Sequence, residues 1–171
     1  SGKDALSIAM RLFHPATGKS MQEPEPKKVV FGEIRDPDSG QCVDEVLLTF
    51  FKGPRSYTAE DVIEISAHGG AWITARILEL VLAQGARLAE PGEFTRRAFI
   101  NGRLDLTQAE AVADVIESAS DRALNSAISQ LKGGLSRRLN TLHENLLSAQ
   151  AQLEAEIDFS EDGLTFQSRE T

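Results

Sequence analysis

The stretch PGEFTRRAFINGRLDL (residues 91–106) separates two parts of the chain that differ in sequence pattern. It lacks a clean apolar periodicity, yet it contains the large apolar residues Phe94, Phe99, Leu104 and Leu106. It also gathers the arginines Arg96, Arg97 and Arg103. Because Asn101-Gly102 is a strong turn signal, we expect a bend that displays the Arg103 side chain. We interpret the stretch as an anchored connection between two domains.

Residues before this stretch alternate between strand and helix patterns, which predicts an α+β domain. Ser1-Gly-Lys-Asp4 is typical of a helix cap, and helical apolar spacing follows it as far as Phe13. Residues 14–26, with three prolines and a glycine, are predicted to form a surface connection. The pattern then predicts, in order, strands at 28–35, 42–51 and 62–66, a helix ended by Gly85, and a short strand at 87–89.

Residues after the stretch are purely helical in pattern. Thr107-Gln-Ala-Glu110 is a capping-box sequence, which predicts that a helix begins at Thr107. Its buried stripe is predicted to be Val112, Ala113, Ile116 and Ala119. Residues 118–121 allow a break before the next helix.

The pair Gly133-Gly134 poses a question about the last helical segment. Two glycines in a helix interior cost about 2 kcal/mol relative to alanines, which favours a stop. The leucines before and after them nevertheless keep a spacing of three or four residues without interruption. We therefore predict one continuous helix from about Asp121 to Ile157, whose apolar stripe needs a partner from elsewhere in the protein or from another subunit.

Composition excludes several classes of function. The formal net charge of −8 and the pI of about 4.9 argue against nucleic-acid binding by this chain alone, since phosphate contacts need a basic face. No run approaches the ~18 apolar residues of a membrane span, and we expect a cytoplasmic protein. Cys42 is the only cysteine, so no internal disulfide is possible. The three histidines lack metal-ligand spacing, and no metal site is predicted.

Glu64 lies in the alternating segment 62–66. Alternation places on one face Val62, Glu64 and Ser66, and on the other Ile63 and Ile65. The acid is either a solvated strand carboxylate or a group directed into a cleft where a ligand binds. A carboxylate accepts two parallel hydrogen bonds, so it suits an amidine-like edge such as that of a pterin ring. The planar fork of Arg103 suits an anionic or carbonyl-rich ligand.

Other polar features receive no ligand role. We expect one of Arg96 and Arg97 to face water and the other to pair with Glu90 or Glu93. Residues 17–20, TGKS, end like a phosphate-binding loop, but they lack the leading glycine and follow a helix rather than a strand. His68 is interpreted as a turn residue before two glycines.

Three motifs resemble a known family. FKGPRSYTAEDVIEISAHGG (51–70), PGEFTRRAFINGRLDLTQAEAVADVI (91–116) and EAEIDFSEDG (154–163) are similar to the N-terminal part of the bacterial and organellar tRNA-modification GTPases called MnmE or TrmE. The resemblance implies an N-terminal domain, residues 1–104, that binds a one-carbon tetrahydrofolate such as the 5-formyl or methylene form and dimerises. It implies that residues 105–171 begin a central helical domain.

The resemblance also implies what the whole enzyme does. With an MnmG-type FAD protein it makes a 5-(carboxymethyl)aminomethyl-type modification of the wobble uridine of tRNA. GTP, Mg²⁺ and K⁺ are expected to bind in a G domain outside this chain, so no catalytic residue is assigned within it. The family's opening strand and glycine-rich loop would precede Ser1.

Two folate-contacting residues carry over from the family. The strand glutamate matches Glu64, and the basic residue of a GKLDL-like motif, usually lysine, matches Arg103. Arginine keeps the charge but changes geometry and reach. Two other interpretations stay open: a stand-alone folate-dependent one-carbon transferase, and an assembly scaffold with a vestigial ligand site.

Overall fold

A computed structural model describes residues 1–18 and 23–158. The chain divides into two compact units between Asp105 and Leu106. The first contains a β-sheet with helices and the second, as far as it is described, contains helices alone, so the predicted α+β class is confirmed. Among the described residues, no helix combines the length and apolar character that crossing a membrane requires.

The first unit is built on an antiparallel sheet of four strands in the order β1-β2-β3-β4. The strands are β1 (Phe13–Pro15), β2 (Val29–Arg35), β3 (Cys42–Phe51) and β4 (Val62–Ser66). The three predicted long strands are confirmed. The prediction of a surface connection from residue 14 is wrong at its start, because residues 13–15 pair with β2. A strand of three residues ending in proline is too short to give an alternating pattern.

The two faces of the sheet differ in their covering. α1 (Ala5–Leu12) and α2 (Ala71–Ala83) pack on the inner face. The core there contains Leu12, Phe13, Ile34, Val46, Leu48, Ile77 and Leu80. The outer face instead exposes Val29, Phe31 and Leu47. The alternation of β4 is confirmed, since Ile63 and Ile65 pack against the core.

The N-terminus differs from its predicted cap. α1 begins at Ala5, and its N-cap residue Asp4 makes no side-chain capping bond. The Ser1 hydroxyl instead lies 2.6 Å from the Thr58 hydroxyl and donates to the Glu60 carboxylate at 2.8 Å. The predicted Ser1 cap is wrong because these long-range partners, which the local sequence does not reveal, bind its side chain.

The stretch 91–106 contains a helix, α3 (Glu93–Ile100), that sequence periodicity did not predict. The short strand predicted at 87–89 is also wrong, because those residues form no strand and Arg87 pairs with Glu93. The predicted turn at Asn101-Gly102 is confirmed, with Gly102 in the left-handed region at φ 71°. The buried residues of α3 are Glu93 and Ala98, so its covered side carries no run of large apolar residues that periodicity could have detected.

Up to residue 158, the second unit contains α4 (Leu106–Glu117), α5 (Asp121–Leu131) and α6 (Gly134–Asp158). The capping box is wrong, because α4 already includes Thr107, whose hydroxyl lies 2.7 Å from the Ser136 hydroxyl. The break before Asp121 is confirmed, and the Ser120 hydroxyl caps α5 by accepting from the Ala123 N–H.

The predicted stripe of α4 is mostly wrong. Ile116 is 78% exposed, and Ala113 and Ala119 are also exposed. The side facing α5 and α6 carries Gln108, Ala111, Val112 and Val115. Several residues of α4 are apolar, and only the packing of its neighbours decides which of them are covered.

The prediction of one continuous helix from Asp121 to Ile157 is wrong. α5 ends at Leu131, and Gly133 adopts φ 77°, which ends a helix but cannot continue one. The Gly133 carbonyl then accepts from the Arg137 N–H at 3.1 Å, within the first turn of α6. The spacing of three or four residues between leucines continues from α5 into α6 because only Lys132 and Gly133 separate the two helices. Large apolar residues along α6, such as Leu146 and Ile157, are exposed in the described chain.

Candidate functional site

Glu64 occupies the middle of β4, directly opposite Thr49 of β3. Its side chain is exposed on the outer face of the sheet, because the residues on either side of it point to the inner face. Within the described residues, no side-chain hydrogen bond or ion pair reaches its carboxylate. Both carboxylate oxygens are therefore available to hydrogen-bond donors from outside the unit.

Arg103 follows the C-terminal cap of α3. Gly102 donates its N–H to the Phe99 carbonyl at 3.0 Å, and the Arg103 N–H donates to the Ala98 carbonyl at 2.9 Å. Gly102 closes this cap in the left-handed conformation, which glycine adopts at a lower cost than any other residue. The cap fixes the position from which the exposed Arg103 side chain leaves the backbone.

The Arg103 guanidinium lies over an aromatic ring. Its central carbon is 5.1 Å from the centroid of Tyr57, which lies in the loop between β3 and β4. The Tyr57 hydroxyl is 3.0 Å from the Thr95 hydroxyl on α3. No carboxylate of the described chain forms a salt bridge with Arg103, and none of its contacts involves Glu64. Sequence reasoning missed Tyr57, since nothing local links it to residue 103.

The first turn of α3 is anchored by Glu93, which is only 4% exposed. Its carboxylate accepts from both terminal nitrogens of Arg87, from Arg97 at 2.7 Å and from the Glu90 N–H at 2.8 Å. The hydrogen bonds from Arg87, followed by those from Glu90 and Arg97, hold the pKa of Glu93 far below its usual range. The acid therefore stays ionised and clamps α3 to the segment before it.

Arg97 connects this anchor to the N-terminus. Its guanidinium lies 3.1 Å from the Glu60 carboxylate, which also accepts from the Ser1 hydroxyl. Burial acts to raise the pKa of Glu60, but the hydrogen bonds from Ser1 and Arg97 outweigh it and the pKa is lowered. The expectation for the arginines holds in part: Arg97 is paired with Glu93, but Arg96, although 59% exposed, is also paired, with Glu90 at 3.4 Å.

A cavity of about 560 Å³ lies on the inner side of β4, between α1, the end of α2 and α3. Ile63 and Ile65 form part of its apolar wall, and Glu60 and Arg97 are among its charged lining groups. Neither Glu64 nor Arg103 lines it. The two residues selected from the sequence thus belong to a different surface from this cavity.

His68 has a partner that the sequence did not suggest. Its ring Nδ1 lies 2.8 Å from the Asp44 carboxylate, which also accepts from the His68 backbone N–H at 2.8 Å. Burial acts to raise the pKa of Asp44, but the bonds from His68 outweigh it and the pKa is lowered. These bonds fix the turn before α2. No group of three or more potential metal ligands occurs in the described part of the chain.

The fold places the chain among α+β proteins in which a sheet unit precedes a helical region. The family described as "GTP-binding protein TrmE N-terminus" matches residues 1–103, and that described as "MnmE helical domain" matches residues 106–171. The chain therefore belongs to the MnmE (TrmE) family, of which it represents the N-terminal region. Residues 159–163 of the third motif lie outside the described residues, as do Lys19 and Ser20.

Curated relatives agree with this assignment. The "tRNA modification GTPase MnmE" of Moorella thermoacetica is 51% identical over 95% of this chain and 35% of its own length. The protein of that name from Geobacillus thermodenitrificans is 48% identical over 94% of this chain and 35% of its own. The protein of that name from Symbiobacterium thermophilum is 48% identical over 99% of this chain and 37% of its own length. The chain thus spans about a third of the length of these relatives.

Proposed function

We propose that the sheet unit binds a one-carbon tetrahydrofolate through Glu64 and Arg103. The observation that carries this proposal is the Glu64 carboxylate, exposed and without a protein partner among the described residues, in a chain of the MnmE family. A carboxylate can accept two parallel hydrogen bonds from the amidine-like edge of a pterin ring. The Arg103 guanidinium is suited to a carboxylate or carbonyl group of the same ligand.

The whole protein is proposed to be a tRNA-modification GTPase. Working with an MnmG-type FAD protein, it makes a 5-(carboxymethyl)aminomethyl-type modification at the wobble uridine. GTP, Mg²⁺ and K⁺ would act in a G domain outside this chain, to which we assign no catalytic residue. The net charge of −8 supports a role in which tRNA is held by the complex rather than by this region alone.

Titration of 5-formyltetrahydrofolate into the chain by calorimetry tests the folate proposal. Glu64→Gln and Arg103→Gln are each expected to weaken binding at least about ten-fold, since each removes a charged hydrogen-bond partner. Glu45→Gln, another exposed strand glutamate, and Arg96→Gln, another exposed arginine, are the matched controls. Both controls should bind like the unchanged chain.

A second form of the chain makes this test decisive. It carries at its N-terminus the segment that precedes the matching region in the Moorella thermoacetica relative. Absence of binding in both forms, or binding unaffected by Glu64→Gln, would contradict the folate proposal. Retained self-association without folate binding would instead favour an assembly scaffold.

We also propose that the sheet unit forms a homodimer. The exposed cross-strand pair Phe31 and Leu47 on the outer face supports this proposal, since a second copy would remove their apolar surface from water. Light scattering over a concentration series should show a dimer that Phe31→Glu dissociates. Leu88→Glu, at another exposed leucine, should not affect it. A monomer at all concentrations would contradict this proposal and leave the folate test unaffected.

A further inference from the structure

Arg103 is held by fewer contacts than the other arginines near α3. Arg87, Arg96 and Arg97 each pair with a glutamate. The Arg103 guanidinium has no ion pair or side-chain hydrogen bond within the described part of the chain. An arginine side chain without partners samples many rotamers, and a ligand that binds it must stop this motion. Some other contact must therefore orient Arg103 if it is to bind tightly.

The Tyr57 ring supplies such a contact. A guanidinium carbon 5.1 Å from a ring centroid is within the range of a cation–π interaction. This interaction is with the π face of the Tyr57 ring, and within the described residues no hydrogen bond or ion pair occupies the N–H donors of the Arg103 side chain. The donors stay available to a ligand while the group is held in one place.

The Tyr57 ring is held by a contact with α3, and the loop that contains it is held by a second contact at the next residue. Its hydroxyl is 3.0 Å from the Thr95 hydroxyl. The next residue, Thr58, is fully buried, and its carbonyl accepts from the Asn101 side chain at 2.7 Å. Asn101 is the C-cap residue of α3, two positions before Arg103. Two hydrogen bonds thus join the loop that contains Tyr57 to α3 and to the turn that precedes Arg103.

We infer that Tyr57 is a positioning residue for Arg103: its ring, held by Thr95, orients the guanidinium toward the ligand. This inference rests on the proposed binding of a one-carbon folate by Arg103. It assigns to the loop between β3 and β4 a part in the ligand site that neither composition nor periodicity indicated.

A double-mutant cycle tests the inference, with the dissociation constant of 5-formyltetrahydrofolate as its first readout. Tyr57→Leu should weaken binding by about two- to five-fold, as expected for loss of an exposed cation–π contact. Tyr57→Phe keeps the ring and should bind nearly like the unchanged chain. In an Arg103→Gln background, Tyr57→Leu should have no further effect, because the group that it orients is gone.

A second readout does not depend on the folate. Phenylglyoxal modifies exposed arginines, and its rate at individual arginines can be followed by mass spectrometry. Tyr57→Leu should accelerate modification of Arg103 relative to Arg96, and Tyr57→Phe, which keeps the ring but loses the contact with the Thr95 hydroxyl, should do so less. Thr95→Ala, a milder change that frees the Tyr57 hydroxyl, should give a smaller acceleration. Circular dichroism establishes that each variant is folded.

The outcomes separate the inference from the proposed function. If Arg103→Gln weakens folate binding but Tyr57→Leu does not, the positioning role is wrong and the folate site stands. An equal loss from Tyr57→Leu with and without Arg103 also overturns it, since Tyr57 would then act independently. If Arg103→Gln has no effect on binding, both the assignment of Arg103 and the inference fail. Unchanged modification of Arg103 in Tyr57→Leu contradicts the cation–π contact itself.

Discussion

Two helices of this protein end at a glycine in the same way but in different surroundings. Gly102 after α3 and Gly133 after α5 have φ values of 71° and 77°. In each case the glycine N–H donates to the carbonyl three residues earlier, at 3.0 Å and 2.7 Å. Gly102 is exposed with open space around it, whereas Gly133 is buried. After Gly133 a new helix begins at once.

The turn at Gly102 could be predicted from the sequence, whereas the turn at Gly133 could not. Asn101-Gly102 lies in a segment without apolar periodicity, so no helical pattern there argues against the turn that these two residues predict. Gly133 lies within an unbroken leucine pattern, and this pattern does not reveal that the φ angle of Gly133 is positive. The α5–α6 turn is held from α4, where the Gln108 side chain donates to the Leu131 carbonyl at 3.0 Å. Only the tertiary fold supplies that contact.

The largest expected effect concerns the Glu93 anchor of α3, which is tested separately from the glycine cap at the end of that helix. Glu93→Ala removes the acid that Arg87 and Arg97 share, so it should lower the melting temperature of the sheet unit more than any other change proposed here. Glu90→Ala, at an exposed acid three residues earlier, is the control and should have little effect. Differential scanning calorimetry measures both. Equal shifts for the two variants would show that the cap, not the anchor, holds α3.

The same anchor predicts a dependence on pH. Because the folded pKa of Glu93 is lowered, its contribution is present above the unfolded value of about 4.3 and is lost as the pH falls toward the folded value. The unchanged chain should therefore exceed Glu93→Gln in stability at pH 7 by more than at pH 3. Urea midpoints at the two pH values measure this difference. A gap that widens in acid would contradict the assigned direction.

The next effect is expected at the buried turn. Gly133→Ala combined with Gly134→Ala should destabilise the helical unit by about 2 kcal/mol or more, since alanine resists the left-handed region. A side chain at Gly134 would also approach the Ser129 carbonyl to 2.9 Å. Urea unfolding followed by helical circular dichroism measures the loss. Increased helicity and stability would instead support one continuous helix.

A smaller effect is expected at the exposed turn. Gly102→Ala should cost about 1–2 kcal/mol through the same backbone conformation, with no steric contact added. Because Arg103 follows directly, this variant should also weaken 5-formyltetrahydrofolate binding, whereas Gly133→Ala should leave binding unchanged. Unfolding and titration of the two variants side by side give the comparison. Equal effects on binding would show that the cap does not position Arg103.

The smallest effect concerns a helix start. Ser120→Ala removes the hydroxyl that accepts from the Ala123 N–H and should cost about 1 kcal/mol. Thr107→Ala changes a residue that lies inside α4, the one that the capping box wrongly favoured as the helix start. It tests instead the contact with the Ser136 hydroxyl. The urea midpoint of Ser120→Ala should fall, and an unchanged midpoint would show that α5 is held by packing alone.

Local patterns were sufficient where one signal dominated. Strands β2, β3 and β4, the helix before Gly85 and the turn at Asn101-Gly102 each followed from alternation, helical spacing or turn chemistry. The candidate residues Glu64 and Arg103 were selected from motifs, and the structure added that the carboxylate has no partner among the described residues. Tyr57 could not be found in this way, because a cation–π contact across 46 positions leaves no local signature.

By itself the sequence determined the class of fold, the family and the residues proposed to meet a ligand, because periodicity, turn chemistry and motif order are local. Tertiary structure alone decided where the long helical segment breaks, what Ser1 binds and which side of α4 is covered. It also decided that α3 is anchored by a nearly buried glutamate. Each of these depends on groups distant in sequence, and their energies exist only once the chain has folded.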